Sequence, residues 1–205
     1  MKVISRNTNG TRTLKERVQA SAENAEKNQE NPRTSAFIRV QSFLRFGILT
    51  ASDRSARGER PDLSGPALAE FVSSQGGTVV RAAILPDDRD ALREAMAEWC
   101  DSRAMDVLLV TGGTGFAPRD VTPEATRLVI EREAPGLAEA MRAESLKVTP
   151  HAMLSRGVCG IRGKTMIINL PGSPKAALEN LQVVFSVLGH AVELLQESPE
   201  AEKHH

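Results

Sequence analysis

Apolar and polar positions divide the chain into three parts. Positions 1–42 hold few apolar residues among many Asn, Arg, Glu, Lys and Ser. Such a composition buries too little surface to offset the entropy of ordering, and it predicts a disordered N-terminal extension. Leu14, Val18, Ala22 and Ala25 line one weak helical stripe within it, which leaves a docking arm as the functional alternative. Positions 43–197 alternate short apolar runs with amphipathic stretches and form the one domain expected to fold. Positions 198–205 are a charged tail, and its closing His204 and His205 resemble the remnant of a purification tag.

Within the domain the apolar runs predict strands at Phe43–Ala51, Thr78–Leu85 and Met105–Thr111. Val107–Val110 is apolar without alternation, the habit of a strand covered on both faces in a parallel sheet. Gly157–Ile161 and Thr165–Leu170 flank Arg162-Gly163-Lys164 and read as a β-hairpin. Helical spacing predicts Ser64–Gln75, with Leu68, Phe71 and Val72 inward, and a helix from Arg89 to about Arg103, with Leu92, Ala95, Met96 and Trp99 inward. A helix from Pro123 turns Ala125, Leu128 and Val129 to the core. Pro135-Gly136 starts another, with Leu137, Ala140 and Met141 as its apolar face. A long helix capped by Ser173, with Pro174 at its first position, carries Leu178, Leu181, Phe185, Leu188, Val192 and Leu195. Ala152–Cys159 fits neither period. The expected fold is α/β: three layers, α/β/α, around a mostly parallel sheet with a β-hairpin or antiparallel edge strand.

The chain is organised around Val107–Thr126. A buried strand leads into Gly112, Gly113 and Gly115, interleaved with Thr111 and Thr114. Glycines there let the backbone turn sharply and bring bare N–H groups to an anion. Arg119-Asp120 follows, then a helix start with Thr122 as N-cap, Pro123 at the first position and Glu124 at the positive end of the dipole. Strand, glycine turn, polar pair and helix N-terminus make an anion site at the carboxyl end of a sheet. The glycines alone are equally a tight turn. No Gly-Lys-Ser/Thr follows them, and their spacing is not that of the dinucleotide fingerprint.

Other sheet-edge loops carry candidate chemistry. Ser52-Asp53-Arg54 follows the first strand, where Asp53 taken alone reads as a cap. Ala56–Leu63 is polar and reads as a mobile loop. Asp87 and Asp88 follow Pro86, and Asp88 reads as the cap of the next helix. Pro171-Gly172-Ser173-Pro174 repeats the strand, glycine and helix-start order, a second anion site or simply a well-made helix start. Glu139 reads as a solvated-face residue, and His151 and His190 as structural.

Charge narrows the function further. The 26 basic and 26 acidic residues balance, and aromatic residues are 3% with no Tyr. This argues against nucleic acid as a partner. Cys100 and Cys159 form no Cys-x-x-Cys, which fits a reducing cytoplasm without disulfides or zinc. No stretch approaches a membrane span. No nucleophile constellation is present either. That suits phosphoryl and nucleotidyl transfer, where the substrate brings its own nucleophile and the protein positions groups and stabilises charge.

The run Thr-Gly-Gly-Thr-Gly, then Arg-Asp-Val-Thr-Pro-Glu-Ala-Thr, resembles the signature of the MogA/MoaB family, which includes the molybdopterin adenylyltransferases and the G domain of gephyrin. CinA-like and MoeA-like relatives usually break the Arg-Asp-Val-Thr-Pro part. The resemblance extends over Phe46–Gln196. It implies that ATP and molybdopterin react with Mg²⁺ to give adenylyl-molybdopterin and pyrophosphate. On that resemblance Asp87 and Asp120 are catalytic and hold the metal. Thr111, Gly112, Gly113, Thr114, Gly115 and Arg119 take nucleotide phosphate. Ser52, Asp53 and Arg54 form a substrate loop, while Pro171, Gly172, Ser173 and Pro174 contact the pterin side. The family's Gly-x-x-Glu-x-Met-Arg run also admits a partner-facing or substrate role for Glu139. The resemblance further implies a homotrimer and admits a downstream molybdate-insertion protein as partner, beside the cytoplasmic setting without nucleic acid or membrane that composition suggests. A non-catalytic molybdopterin-binding paralogue and a trimeric scaffold module remain as alternative readings.

Overall fold

The computed structural model describes residues 44–197. The expected extension, Phe43 of the first expected strand and the tail over 198–205 lie outside the described residues. Strands β1 (Arg45–Ala51), β2 (Thr78–Leu85), β3 (Val107–Thr111), β4 (Arg132–Glu133), β5 (Cys159–Arg162) and β6 (Thr165–Leu170) form a single sheet ordered β2-β1-β3-β6-β5-β4. β2, β1, β3 and β6 pair in parallel, and β5 and β4 run antiparallel beyond them. The expected hairpin is β5–β6. The two-residue β4 was not legible, because Arg132 and Glu133 are both exposed and carry no apolar signal.

Helices α1 (Asp53–Ala56), α2 (Ser64–Ser74), α3 (Arg89–Asp101), α4 (Thr122–Arg127), α5 (Pro135–Leu146) and α6 (Pro174–Leu195) connect and cover the strands. A 3₁₀ turn at Pro150–Leu154 occupies part of the segment that fitted neither period. Successive strand residues point to opposite faces, and the central strands are therefore buried twice over. Phe46, Ile48, Val107, Leu109, Met166 and Ile168 pack with residues of α2, α5 and α6. Leu49, Leu108, Val110 and Ile167 pack with residues of α3 and α4. These two apolar layers make the three-layer architecture. Fully burying each such side chain stabilises the fold by about 1.5–3 kcal/mol. α6 is long and apolar enough to cross a membrane by length and composition, but its Leu181, Val184, Phe185, Leu188 and Val192 belong to the first of these layers.

Several local expectations shift. Thr122 is the first residue of α4, not its cap. Val121 holds the cap position without a side-chain bond, so Pro123 sits one residue further in. Leu128 lies just past the end of this short helix and is 59% exposed, while Ala125 and Val129 are buried as expected. On α5, Ala138 replaces Ala140 in the buried stripe. Ser173 takes the cap position of α6 but makes no side-chain cap bond. At α1 the cap is Ser52, whose Oγ accepts from the Ser55 amide, and Asp53 is the first helical residue. Asp88 caps α3 as expected, accepting from the amides of Asp90 and Ala91.

The topology also places the site. From β1 the chain passes outward to β2, whereas from β3 it leads toward β6 on the other side. The loops leaving the carboxyl ends of adjacent β1 and β3 therefore diverge, and a crevice opens between them at this switch point.

Candidate functional site

Three backbone segments meet at the crevice because glycines let them. Gly112 has φ +100°, and a Cβ on it would lie 2.2 Å from the Ala51 carbonyl oxygen. Gly113 has φ +58°, and its Cβ would lie 2.6 Å from Thr122 Oγ1 and 3.0 Å from Asp87 Oδ1. Any side chain at either position would drive the end of β3 off the end of β1 or off α4. Thr111 Oγ1 donates to the Pro171 carbonyl at 2.7 Å, and Ser64 Oγ donates to the Gly172 carbonyl at 2.9 Å. The loop after β6 is thereby fastened to both β3 and α2.

The expected mobile loop before α2 is fastened too. Asp62 accepts from Thr50 Oγ1 at 2.7 Å and from the amides of Ser64 and Gly65 at 2.9 and 3.1 Å. Sequence reasoning missed Asp62 and Ser64. The signal was available, since an Asp two residues ahead of a Ser-Gly helix start is an Asx turn.

At the floor of the crevice the Asp53 amide donates to Asp87 Oδ2 and the Asp87 amide donates to Asp53 Oδ1. Arg119 closes on Asp53 in a bidentate pair, with contacts from 2.7 to 3.0 Å. That guanidinium holds the Asp53 carboxyl below the ordinary carboxylate range. Asp87 moves the other way. Burial raises it first, and the charges of Asp53 and Asp120 add to the rise. Asp120 Oδ2 accepts from the Ala117 amide at 2.9 Å within its own loop.

The resulting cleft has a volume of about 860 Å³. Ser52, Asp53, Arg54 and Asp87 line it from one side, and Thr111, Gly112, Gly113, Arg119 and Asp120 from the other. Gly172, Ser173 and Pro174 complete the wall. Arg57, Arg60, Asp62 and Ser64 also line it and were not foreseen. Arg57 is engaged by Glu59, but Arg54 and Arg60 hold no carboxylate among the described residues and are available to an anion. Thr114, Gly115 and Pro171, expected with the rest, instead face a second cavity of about 280 Å³ beside Arg142 and Asn180.

No group of three or more His, Cys, Asp or Glu residues is placed to hold a metal among the described residues. Mg²⁺ needs less from a protein, since it keeps several waters and takes oxygens from phosphates beside one or two carboxylates. Asp87 Oδ1 is buried without a hydrogen-bond partner. An unpartnered carboxylate oxygen at a cleft shared with Asp120 fits such an ion. The cysteines do not enter: burial pushes both thiols up to about 12. His151 Nδ1 lies 3.3 Å from Thr149 Oγ1, and His190 lies 3.7 Å from Glu193.

One further residue stands behind the site. Arg156 donates to the carbonyls of Gly115 and Asp120 and to Glu124. Nothing near it in sequence marks it, because its partners lie 32 to 41 residues away.

Residues 47–190 match the family model described as a probable molybdopterin binding domain. The molybdenum cofactor synthesis protein cinnamon of Drosophila melanogaster is 46% identical over 153 residues, 74% of this chain and 26% of that protein. The chain thus spans about a quarter of cinnamon's length. A molybdopterin adenylyltransferase of Helicobacter pylori is 43% identical over 154 residues, 74% of this chain and 88% of that protein. Among solved structures, the molybdopterin biosynthesis enzyme MoaB of Thermus thermophilus aligns with a TM-score of 0.72 at 48% identity, covering 76% of this chain and 98% of that one.

Proposed function

Because the chain belongs to the molybdopterin-binding domain family of MogA and MoaB, we propose that it is a molybdopterin adenylyltransferase of molybdenum-cofactor synthesis. The reaction joins ATP and molybdopterin. An oxygen of the pterin's terminal phosphate attacks the α-phosphorus of ATP, the bond to the β-phosphate breaks, and pyrophosphate leaves. The observation that carries this reading is the convergence of Asp87 and Asp120 on one cleft with the Gly112–Gly113 turn and the Ser52 and Ser173 loops.

The roles follow from position. The cleft lies within the range of small-ligand sites, roughly 300–1,000 Å³, and is large enough for a nucleotide. The backbone N–H groups of the glycine turn would bind phosphate, with Arg54 and Arg60 as cations on the same wall. Arg119, already fixed by Asp53, would meet phosphate as a planar fork. The Ser52–Arg54 and Gly172–Pro174 loops would orient the pterin substrate. Asp87 and Asp120 would hold Mg²⁺, which when bound neutralises charge on the phosphates. Pre-set positions of this kind remove orientational entropy from a two-substrate reaction. The proposal includes a cytoplasmic homotrimer and delivery of the product to a molybdate-insertion protein.

The test is incubation of the protein with ATP, Mg²⁺ and molybdopterin. Pyrophosphate release that depends on all three is expected. Pterin binding without pyrophosphate would put the non-catalytic paralogue in its place.

A further inference from the structure

Arg156 does not line the cleft, yet it holds the loop that does, beside the Arg119–Asp53 pair. The segment from Thr114 to Val121 carries Arg119 and Asp120 and has little holding it from within. Its internal bonds are Asp120 N–H to the Ala117 carbonyl at 2.8 Å and Ala117 N–H to Asp120 Oδ2 at 2.9 Å. Phe116 is 66% exposed and does not anchor the segment, and only Val121 at its far end packs on the core. Arg156 binds the segment at both ends. Its amide donates to the Thr114 carbonyl at 2.9 Å and its Nε to the Gly115 carbonyl at 2.6 Å. Nη2 donates to the Asp120 carbonyl, and Nη1 to Glu124 Oε1 on the first turn of α4. The guanidinium thus ties the glycine loop, the backbone of Asp120 and the following helix into one unit.

We propose that Arg156 is a positioning residue for the adenylyl transfer. It sets where the backbone of Asp120 stands and so the segment that carries Arg119, whose guanidinium Asp53 also holds, and it acts on substrate only through these residues. The assignment rests on the transferase reading for its kinetic consequence and on the geometry above for the hold itself. Three divergent acceptors match a planar fork with several N–H groups. A lysine ammonium is a single point charge and reaches fewer of them. Glu124 supplies the opposite charge through Oε1, while its Oε2 is buried without a hydrogen-bond partner.

The test uses the full chain with Arg156→Lys and Arg156→Ala. Amide hydrogen exchange at Ala117 and Asp120 in the free protein is expected to speed up in both variants while β1, β3 and β6 keep their protection. In Arg156→Ala, kcat is expected to fall by roughly 10²-fold, the scale of a reacting group displaced by about 1 Å. KM for ATP stays within about threefold, since the loss falls on transition-state geometry and not on uniform binding. Arg156→Lys falls between, and added guanidinium ion restores part of the Arg156→Ala turnover. Glu124→Gln weakens one prong while keeping the arginine, and the same loop exchange in it decides the matter should neither Arg156 variant fold. Unchanged loop exchange, wild-type kcat, or protection lost equally throughout the sheet would overturn the assignment. A wild type that releases no pyrophosphate removes the transferase reading, and the loop exchange then decides the hold of Arg156 alone.

Discussion

Asp53 and Asp87 hold each other by their backbones. The Asp53 amide donates to Asp87 Oδ2 at 2.9 Å, and the Asp87 amide donates to Asp53 Oδ1 at 3.1 Å. The exchange locks the ends of β1 and β2 together, but it also sets two carboxylates side by side. Arg119 neutralises Asp53. Asp87 has no such partner, and its second oxygen is buried and unbonded. The fold therefore carries an electrostatic cost at Asp87 that a bound cation would relieve.

That cost has a sign in pH. The folded state raises the Asp87 carboxyl above its ordinary value of 3.8, chiefly by burial. A raised value means that the folded state favours the protonated form, so relative stability is lost as pH rises through the carboxyl range. Asp87→Asn removes the charge, and without metal it should melt higher than wild type at neutral pH. The gap should close as pH falls below the ordinary carboxyl value. Thermal melts of both proteins in chelator across that range decide it. A gap that widens on acidification would mean that Asp87 is stabilised by its surroundings instead.

A second carboxylate serves the fold and not the cleft. Asp106 is 4% exposed at the start of β3, far from the cleft. It accepts from the Arg45 side chain at 2.8 and 3.1 Å, from the Arg45 amide at 2.8 Å and from Gln196 at 3.1 Å. It joins β1, β3 and the end of α6. Asp106→Ala should cost about 1–2 kcal/mol, because it strips a part-buried amide and a half-exposed guanidinium of their acceptor. Denaturant titration measures this, and turnover per folded molecule should be unchanged.

The sheet was legible because its signal is one-dimensional. The unbroken apolar run Val107–Val110 predicts a strand covered on both faces, and all four residues are fully buried. The glycine turn was legible because a positive φ demands glycine. Residues whose roles depend on distant partners were not legible. Leu128 has helical spacing from Ala125, but α4 stops at Arg127 and leaves it outside. Arg156 looks like any loop arginine until the chain brings it to Glu124 and Gly115. Thr114 and Gly115 share the glycine run with Gly112 and Gly113, yet they face another cavity, and no spacing rule reveals which way a turn points.

Exposed apolar residues collect around one end of the second cavity. Val148 is 72% exposed, Met153 66%, and Leu146 and Leu154 44% each. Exposed apolar residues grouped within nine positions of the chain, two of them lining that cavity, suit an association surface. The proposed homotrimer should then weaken on Val148→Asp with Met153→Asp. Light scattering at micromolar concentration should show wild type at three times the 22.2 kDa chain mass and the double variant below that. A monomeric wild type would remove the trimer.

The central assignment is the catalytic role of Asp87 and Asp120, and Asp→Asn tests it with little change of shape. Asp120 Oδ2 accepts from the Ala117 amide, and the carboxamide oxygen of Asn can do the same, so the loop should keep its form. Asp87 Oδ2 accepts from the Asp53 amide, and Asn again preserves that bond. What both variants lose is the charge that a hard cation needs. Turnover should therefore fall by roughly 10²-fold or more in each, the scale seen when one electrostatic stabiliser is removed. Nucleotide binding should suffer less, because the Gly112–Gly113 turn and the Ser173 loop remain. Asp88→Asn is the matched control. It stands next to Asp87, but its carboxylate is committed to the amides of Asp90 and Ala91 as the cap of α3. Asn caps about as well as Asp, so this variant should keep both melting temperature and turnover. Wild-type rates in Asp87→Asn and Asp120→Asn together would leave the two carboxylates as structural groups and put the stabilisation of the transfer on other residues of the cleft.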